Sequence, residues 1–189
     1  MRLISRNKDN KLFALKTLKS NHSKIYLNRE IKILQKMNHP NLLYFEKIHT
    51  SSSCVHLITE YFEGQTLTDF SRKFVEGKVP EDQVKVILKQ ICKGLSFCHK
   101  KGIAHRDLKH DNILIDSKLK IKIIDFGYAI ELKHGELSRS ECGSPNYMPP
   151  EIVRRQNYDP FAADIWSLGV ILYKLIRGKL PFSGTTNHE

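Results

Sequence analysis

Three oxygen-bearing side chains lie on either side of a predicted β-hairpin. Residues 105–112 read HRDLKHDN and residues 125–127 read DFG. Between them, the apolar run ILI, the turn DSK and the alternating run LKIKII predict two antiparallel strands joined by a short turn. Because a hairpin brings its outer ends together, we expect Asp107, Asn112 and Asp125 to converge on one site.

These residue types are suited to the transfer of a phosphoryl group. Asn112 and Asp125 offer hard oxygen ligands of the kind that Mg²⁺ takes together with phosphate oxygens. Asp107 would then be free to accept the proton of an attacking hydroxyl group. Lys109 would neutralise charge on the phosphoryl group in transfer. This spacing is shared with small-molecule phosphotransferases, so by itself it leaves the class of substrate open.

Composition indicates a globular chain. The 189 residues include 40% hydrophobic and 27% charged residues, an ordinary balance that allows a sizeable core in one domain or two tightly joined lobes. The longest apolar stretch, at 166–176, is interrupted by Lys174 and is too short to span a membrane. The N-terminus has no apolar core of the secretory type. We therefore expect neither a membrane segment nor a signal peptide.

Cysteine usage and net charge limit the partners. Four cysteines without paired or zinc-type spacing are expected to be reduced thiols of a cytoplasmic protein, with the nucleus as an alternative. The net charge of +11 is spread along the chain, often alternating with apolar residues as in 119–124, which is typical of solvated faces. We expect no nucleic-acid partner, although charge alone keeps that as a minor alternative.

Hydrophobic periodicity predicts a β-rich first third and a more helical remainder. Turn residues at 7–10 and 50–53 and a breaker at 39–41 separate the first elements, and a proline opens the long central helix. The segment 128–150 is predicted to be irregular. The predicted elements are a strand at 11–19, a helix at 23–37, strands at 42–48 and 55–61, a helix from 80 to about 102, strands at 113–115 and 119–124, and a helix at 161–177.

Five motifs in order extend this pattern over essentially the whole chain. They are FALK (13–16), HRDLKHDN (105–112), DFG (125–127), PPE (149–151) and DIWSLG (164–169). Together they resemble the protein kinase family. The run DLK and the later run GSPNY are similar to the serine/threonine type, and GSPNY is most similar to the calcium/calmodulin-dependent and AMP-activated kinase groups.

The resemblance implies a nucleotide site for ATP. Lys16 would hold the α- and β-phosphates and pair with Glu30. The backbone carbonyl of Glu60 and the N–H of Phe62 would bind adenine, which makes little demand on their side chains, and Leu114 would contribute to the same site. Lys16 could alternatively be a surface lysine on an edge strand. Glu30 could alternatively be an ordinary solvated charge on a helix.

The resemblance also implies catalytic roles. Asp107 would be the catalytic base, assisted by Lys109, while Asn112 and Asp125 would hold Mg²⁺. The substrates would be proteins, phosphorylated on serine or threonine. An apolar column linking the two lobes would make His105 a packed residue rather than a ligand or base. Its members would be Leu34, Phe45, His105 and Phe126.

Regulation by phosphorylation follows from the same resemblance. Arg106, next to the catalytic aspartate, is typical of kinases that an upstream kinase switches on in the activation loop. A phosphate on Ser140 would add a charge of about −1.5 to −2 and could pair with Arg106. Ser138 is a neighbouring candidate. The alternative is that both are ordinary loop serines.

The expected fold class is α+β, a two-lobed kinase-like fold. The small β-rich lobe with its hinge would cover 1–62 and the helical lobe 63–189. No glycine-rich loop is present, and residues 2–6 match the strand that normally follows it, so the first strand would be lacking. The chain stops seven residues after PF at 181–182, so the last helices of the larger lobe would be lacking too.

These departures predict marginal folding and leave a second function open. The last helix would then have an uncovered face that exposes Ile165, Leu168, Ile171 and Leu172. Each Å² of apolar surface left in water forgoes roughly 25 cal/mol of stabilisation. The alternative function is a truncated, non-catalytic kinase-like module that competes for binding partners.

Three positions bear on substrate choice. Lys174 and Thr66 stand where arginine-directed kinases often carry acidic residues, whereas Asp111 keeps one acid. This pattern argues against a strong preference for arginine-rich substrates.

Overall fold

A computed structural model describes residues 2–19, 24–51, 54–133 and 135–182. The elements alternate between short strands and helices of very different length. The strands are β1 (Arg2–Ser5), β2 (Leu12–Lys19), β3 (Phe45–Thr50), β4 (Cys54–Glu60), β5 (Gln65–Thr66), β6 (Ile103–Ala104), β7 (Ile113–Ile115), β8 (Ile121–Ile123) and β9 (Ile130–Glu131). The helices are α1 (Lys24–Leu34), α2 (Leu67–Ser71), α3 (Glu81–Lys100), α4 (Pro150–Val153) and α5 (Pro160–Arg177).

The first part of the chain forms a four-stranded antiparallel sheet in the order β1-β2-β4-β3. In the central pair, Phe13 lies opposite Glu60 and Lys16 opposite Leu57. Helix α1 contributes Leu27, Ile33 and other apolar residues to the main core. The predicted strand–helix–strand–strand order is confirmed, and the α+β class with it.

Two predicted boundaries in this part are wrong. The helix ends at Leu34 rather than 37, and the next strand begins at Phe45 rather than 42. Leu42 forms a bridge with Ile123, and the backbone N–H of Leu43 donates to the Ile123 carbonyl at 3.0 Å. The apolar run around Leu42 therefore pairs with a distant hairpin instead of extending β3. The predicted helix start at 23 and the turn at 52–53 lie outside the described residues.

The second part contains the predicted hairpin between two long helices. Strands β7 and β8 pair antiparallel, with Ile113 opposite Ile123, and β5 adds a third strand to them. The predicted long helix spans Glu81–Lys100, and six of its residues are buried. The short pair β6–β9 was not predicted, because two-residue strands carry no periodicity.

Helix α5 has well-defined ends. The Asp159 carboxylate caps its N-terminus by accepting from the Phe161 N–H at 2.8 Å, and Pro160 occupies the first turn. At the C-terminus Gly178 adopts φ +71°, and a Cβ there would collide with the Glu76 carbonyl oxygen. Glycine is therefore required where α5 passes the segment after α2.

The apolar face of α5 is only partly exposed. Ile165 is 55% exposed, but Ile171 is completely buried beneath the loop at 105–112. Leu168 and Leu172 are half-buried against the main core. The prediction that all four residues form one uncovered face is therefore wrong for Ile171. Among the described residues, no helix combines the length and apolarity needed to cross a bilayer.

Candidate active site

The loop at 105–112 is anchored by a histidine that is fully packed inside the protein. The His105 ring is 1% exposed and its centroid lies 4.9 Å from that of Phe126. Its Nε2–H donates to the Ile124 carbonyl at 3.0 Å, and its Nδ1 accepts from the Asp107 N–H at 3.2 Å. Both nitrogens are committed to the backbone, so this ring positions the loop. The prediction that His105 is a packed residue is confirmed.

A buried carboxylate on α5 holds the same loop from below. Asp164, 1% exposed, accepts the N–H of His105 on one oxygen and the N–H of Arg106 on the other, both at 2.8 Å. It also accepts from His99 Nε2 at 2.8 Å. These bonds support Arg106 at φ +66°, an unfavourable conformation for that residue. The sequence analysis named Asp164 only as part of the motif at 164–169. A carboxylate on an otherwise apolar helix could have indicated that it has a buried structural role.

The carboxylate of Asp107 is surrounded by three donors. Its Oδ1 accepts from the Ser144 hydroxyl at 2.8 Å, and its Oδ2 lies 3.0 Å from Asn112 Nδ2 and 2.9 Å from Lys109 Nζ. Lys109 also donates to Ser144 at 2.8 Å. The sequence predicted the proximity of Asp107, Lys109 and Asn112, but it missed Ser144, which lies in the quoted run GSPNY.

The hairpin brings Asn112 and Asp125 together as predicted. The Ile124 N–H donates to the Asn112 carbonyl at 2.9 Å, which joins the two outer ends of the hairpin. Asn112 Nδ2 is bound to the Asp107 carbonyl at 2.8 Å, which fixes the amide orientation. Asp125 adopts φ +61° and is half exposed. One amide oxygen and one accessible carboxylate suit Mg²⁺, which usually takes few protein ligands beside phosphate and water.

Lys16 is held by two carboxylates from different parts of the fold. Its Nζ lies 3.2 Å from Glu30 on α1 and 3.3 Å from Asp125 beyond the hairpin. Burial lowers the pKa of Lys16, but attraction to Glu30 and then to Asp125 outweighs it, and the pKa is raised. The lysine therefore stays charged, and neither alternative (a surface lysine or a solvated helix charge) describes this arrangement.

The predicted hinge contains a carboxylate with an unexpected structural role. The Glu60 side chain accepts from the Tyr44 N–H at 2.7 Å and from Lys122 Nζ at 2.5 Å. Lys122 lies on β8, so this pair crosses between the sheet and the hairpin. The expectation that the identity of the Glu60 side chain matters little is wrong, because its carboxylate links β4 to β8. This role is independent of the backbone carbonyl that is predicted to bind adenine.

Two further predicted nucleotide residues lie next to this hinge. Leu114 is on β7 opposite Thr66 and is half-buried. Phe62 lies in the irregular segment after β4, and a Cβ at Gly64 would come within 2.8 Å of its ring and 2.6 Å of the Ile115 carbonyl oxygen. Glycine thus lets the hinge pass close to β7. The hinge residues and Leu114 belong to neighbouring segments, as their predicted shared site requires.

Arg106 extends toward the two serines that the sequence singled out. Its Nη1 donates to Ser140 Oγ at 2.5 Å and to Ser138 Oγ at 3.4 Å. Its Nε donates to the Tyr128 carbonyl at 2.8 Å. The Tyr158 hydroxyl in turn donates to the Ser140 carbonyl at 2.9 Å. A phosphate attached to Ser140 would therefore lie next to the guanidinium group of Arg106.

A second histidine of the loop was missed by sequence reasoning. His110 is completely buried, and its Nδ1 lies 3.0 Å from the Tyr147 hydroxyl. Among the described residues its Nε2 has no partner of good hydrogen-bond geometry, although the Ile171 carbonyl is near enough to favour protonation. Burial, and then the charge of Lys174, lower the pKa of His110 to about 3. Burial also raises the pKa of Tyr147 to about 12.

This arrangement defines a class of protein. An antiparallel sheet presents a lysine paired with a helix glutamate, and a hairpin with an adjoining loop presents two aspartates and an asparagine beside it. That is the fold and the polar constellation of the protein kinases. Consistently, the family model described as "Protein kinase domain" matches residues 2–189. The chain belongs to the protein kinase domain family, which in general uses ATP and a divalent metal ion.

Curated relatives are serine/threonine kinases. The chain is 44% identical over 156 residues to serine/threonine-protein kinase GIN4 of Saccharomyces cerevisiae, covering 82% of this chain and 14% of that protein. It is 38% identical over 176 residues to CBL-interacting serine/threonine-protein kinase 24 of Arabidopsis thaliana, covering 93% and 39%. Identity is also 38% to the SNF1-related protein kinase catalytic subunit alpha KIN12 of Arabidopsis thaliana, covering 91% and 34%. The chain thus spans well under half the length of these relatives.

Proposed function

We propose that this chain is the catalytic region of an enzyme that transfers the γ-phosphoryl group of ATP to serine or threonine hydroxyls of proteins. The observation that carries the proposal is the position of Lys16. Its ammonium group contacts both Glu30 and Asp125, so it connects the sheet, the helix and the predicted metal ligand in one network. A charged lysine held this way is suited to binding phosphates.

The roles of the loop residues follow from their contacts. Asn112 and Lys109 hold the Asp107 carboxylate in place. A carboxylate fixed in this way can accept the proton of the substrate hydroxyl. Lys109 neutralises charge on the transferred group. Asn112 Oδ1 and the Asp125 carboxylate would hold magnesium, which would supply charge neutralisation on the phosphates. We propose that the backbone at Glu60 and Phe62, with Leu114, binds adenine.

The proposed organisation keeps the division predicted from sequence, with a small lobe and hinge at 1–62 and a larger lobe at 63–189. We also propose the cytoplasm, or the nucleus, as the compartment. The proposed partners are protein substrates and an upstream kinase that phosphorylates Ser140. The hydrogen bond from Arg106 to Ser140 supports that last proposal, because the phosphate would find a guanidinium group already beside it.

The test is phosphoryl transfer by the protein expressed from its full coding sequence, with labelled ATP and peptides that differ only in a serine, threonine or tyrosine acceptor. Asp107→Asn should lower kcat by about 10²- to 10⁴-fold while ATP still binds. The matched control, Asp82→Asn, changes an exposed carboxylate on α3 and should leave kcat unchanged. A wild-type protein that binds ATP or kinase partners yet transfers no phosphate would overturn the proposal in favour of a non-catalytic binding module.

A further inference from the structure

The buried His110 lies where the 105–112 loop meets α5, and its ring is a hydrogen-bond acceptor. The ring is completely buried and forms no ion pair within the described part of the chain, so it is neutral. A neutral imidazole has one nitrogen that donates and one that accepts. Nδ1 lies 3.0 Å from the Tyr147 hydroxyl, and the Ile171 carbonyl lies near the ring. Because a carbonyl can only accept, the ring proton is on Nε2, and Nδ1 accepts the tyrosine O–H.

Tyr147 connects this histidine to the segment that carries Ser144. Residues Pro145–Tyr147 form one turn of 3₁₀ helix, in which the Tyr147 N–H donates to the Ser144 carbonyl at 2.9 Å. The Tyr147 carbonyl accepts from the Ser167 hydroxyl of α5 at 2.8 Å. The tyrosine is only 8% exposed, so its hydroxyl has little access to water and relies on His110. The turn is therefore fixed at its backbone by α5 and at its side chain by His110.

Ser144 connects this turn to the proposed catalytic base. Its hydroxyl donates to Asp107 Oδ1 at 2.8 Å and accepts from Lys109 Nζ at 2.8 Å. The contacts close into a ring, because Asp107 and His110 belong to the same loop, three residues apart. If the bond at His110 were broken, Ser144 would still contact Asp107, but from a turn that has one anchor fewer.

Packing alone does not account for a histidine at this position. A buried polar ring lowers stability unless its nitrogens are hydrogen-bonded, so an aliphatic side chain would fill the same space at less cost. Within the described residues, Nε2 has no hydrogen-bond partner of good geometry, whereas Nδ1 is bound to Tyr147. The satisfied atom of the His110 ring is thus the one that holds the turn.

We propose that His110 is a positioning residue, which aligns the carboxylate of Asp107 by holding the turn that carries Ser144. The inference rests on the proposed kinase function and adds a residue outside the group expected to touch ATP or the acceptor hydroxyl. Loss of one neutral hydrogen bond from this path should lower the rate of phosphoryl transfer about 3- to 10-fold. It should leave the KM for ATP unchanged, because Lys16 and the hinge lie outside the path.

The test is a double-mutant cycle with the protein expressed from its full coding sequence, labelled ATP and the serine peptide described above. The rate is measured in a single turnover and divided by the number of nucleotide-binding sites, so that neither product release nor misfolded molecules affect it. His110→Leu removes the acceptor, and Tyr147→Phe removes only the hydroxyl. Each should lower the rate about 3- to 10-fold. The double variant should lose no more than either single variant, because both changes break the same bond.

His110→Asn is the rescue variant. Its side-chain oxygen can take roughly the place of Nδ1 and accept the same O–H, so it should recover most of the rate that His110→Leu loses. Tyr173→Phe is the matched control, since it removes a hydroxyl from an α5 tyrosine that is 39% exposed. It should keep the wild-type rate. A role in stability alone would reduce the number of nucleotide-binding sites but would leave the rate per site unchanged.

Three results would overturn the inference while the kinase function stands. They are a wild-type rate per site for Tyr147→Phe, losses that multiply in the double variant, and a His110→Asn variant that is no faster than His110→Leu. If wild type transfers no phosphate at all, the proposed function fails and the inference falls with it. Should His110→Leu not fold, the comparison of Tyr147→Phe with wild type decides, because that change removes one oxygen atom and keeps the ring.

Discussion

The buried His110 should make the protein's stability depend on pH. The folded protein keeps this ring neutral down to pH values near 3, because burial and then the charge of Lys174 lower its pKa. In the unfolded chain the ring protonates near its ordinary pKa of about 6.5. Between these two values the unfolded state binds more protons, so the free energy of unfolding falls as the pH falls.

The magnitude follows from the size of the interval. Well below the ordinary pKa, each pH unit costs about 1.4 kcal/mol until the folded ring itself protonates. From pH 7 to pH 5 this single group should therefore cost about 2 kcal/mol of stability. Typical domains have only about 5–15 kcal/mol in total, so the loss should be visible in a melting experiment.

The assay compares urea unfolding of wild type and His110→Asn across this pH range. Asparagine cannot take up a proton but can still hydrogen-bond the Tyr147 hydroxyl, so the variant should lose roughly 2 kcal/mol less than wild type on going from pH 7 to pH 5. His49→Asn is the matched control, because its ring is exposed and burial is the main cause at His110. It should retain the wild-type dependence.

Two results would refute this reasoning. One is an identical pH dependence for His110→Asn and wild type. The other is an NMR titration in which the His110 ring of the folded protein is already protonated at pH 5.

Three other predictions concern the activation loop, the hinge and the end of α5. Ser140→Ala should reduce the activity of material treated with an upstream kinase by at least about tenfold relative to treated wild type, and equal activity would contradict the regulatory proposal. Glu60→Gln should weaken the link to Lys122 and lower stability by about 1 kcal/mol in a thermal melt, more so at low salt, whereas no change would mean that the pair contributes nothing. Gly178→Ala should cost about 2 kcal/mol or more, because alanine disfavours φ +71° and its Cβ collides with the Glu76 carbonyl; an unchanged melting temperature would show that the turn can rearrange.

The residues that could be predicted are those whose partners are close in sequence or fixed by one hairpin. Asp107, Lys109 and Asn112 lie within six residues, and the hairpin register alone brings Asp125 to them. The pairing of Lys16 with Glu30 was predicted only through the resemblance. Nothing in the local sequence specifies how α1 lies on the sheet.

The residues that were missed have partners far along the chain. Ser144 meets Asp107 across 37 positions, and Asp164 meets the loop across 59 and 58 positions. His110 looks like an ordinary polar loop residue until the tertiary fold places α5 and Tyr147 around it. The boundary error at Leu42 is similar, since its pairing with Ile123 competes with the local strand pattern. Long-range contacts decide such positions, and a single sequence carries little information on them.

The two ion pairs that link the sheet to the hairpin differ in how far they are exposed to water. At the hinge edge, Lys122 and Glu60 form a mostly buried pair, with side chains 14% and 26% exposed, and Leu43 adds a backbone bond to Ile123. In the second link, beyond the hairpin, Lys16 meets Asp125 with side chains that are 36% and 49% exposed, so water screens the attraction. If the sheet rotates relative to the hairpin, we expect the pair of Glu60 and Lys122 to stay in contact. The more exposed pair of Lys16 and Asp125 should separate first. The weaker link carries Lys16, the lysine that we propose binds phosphates, so a motion that would admit a nucleotide would break the more exposed of the two ion pairs.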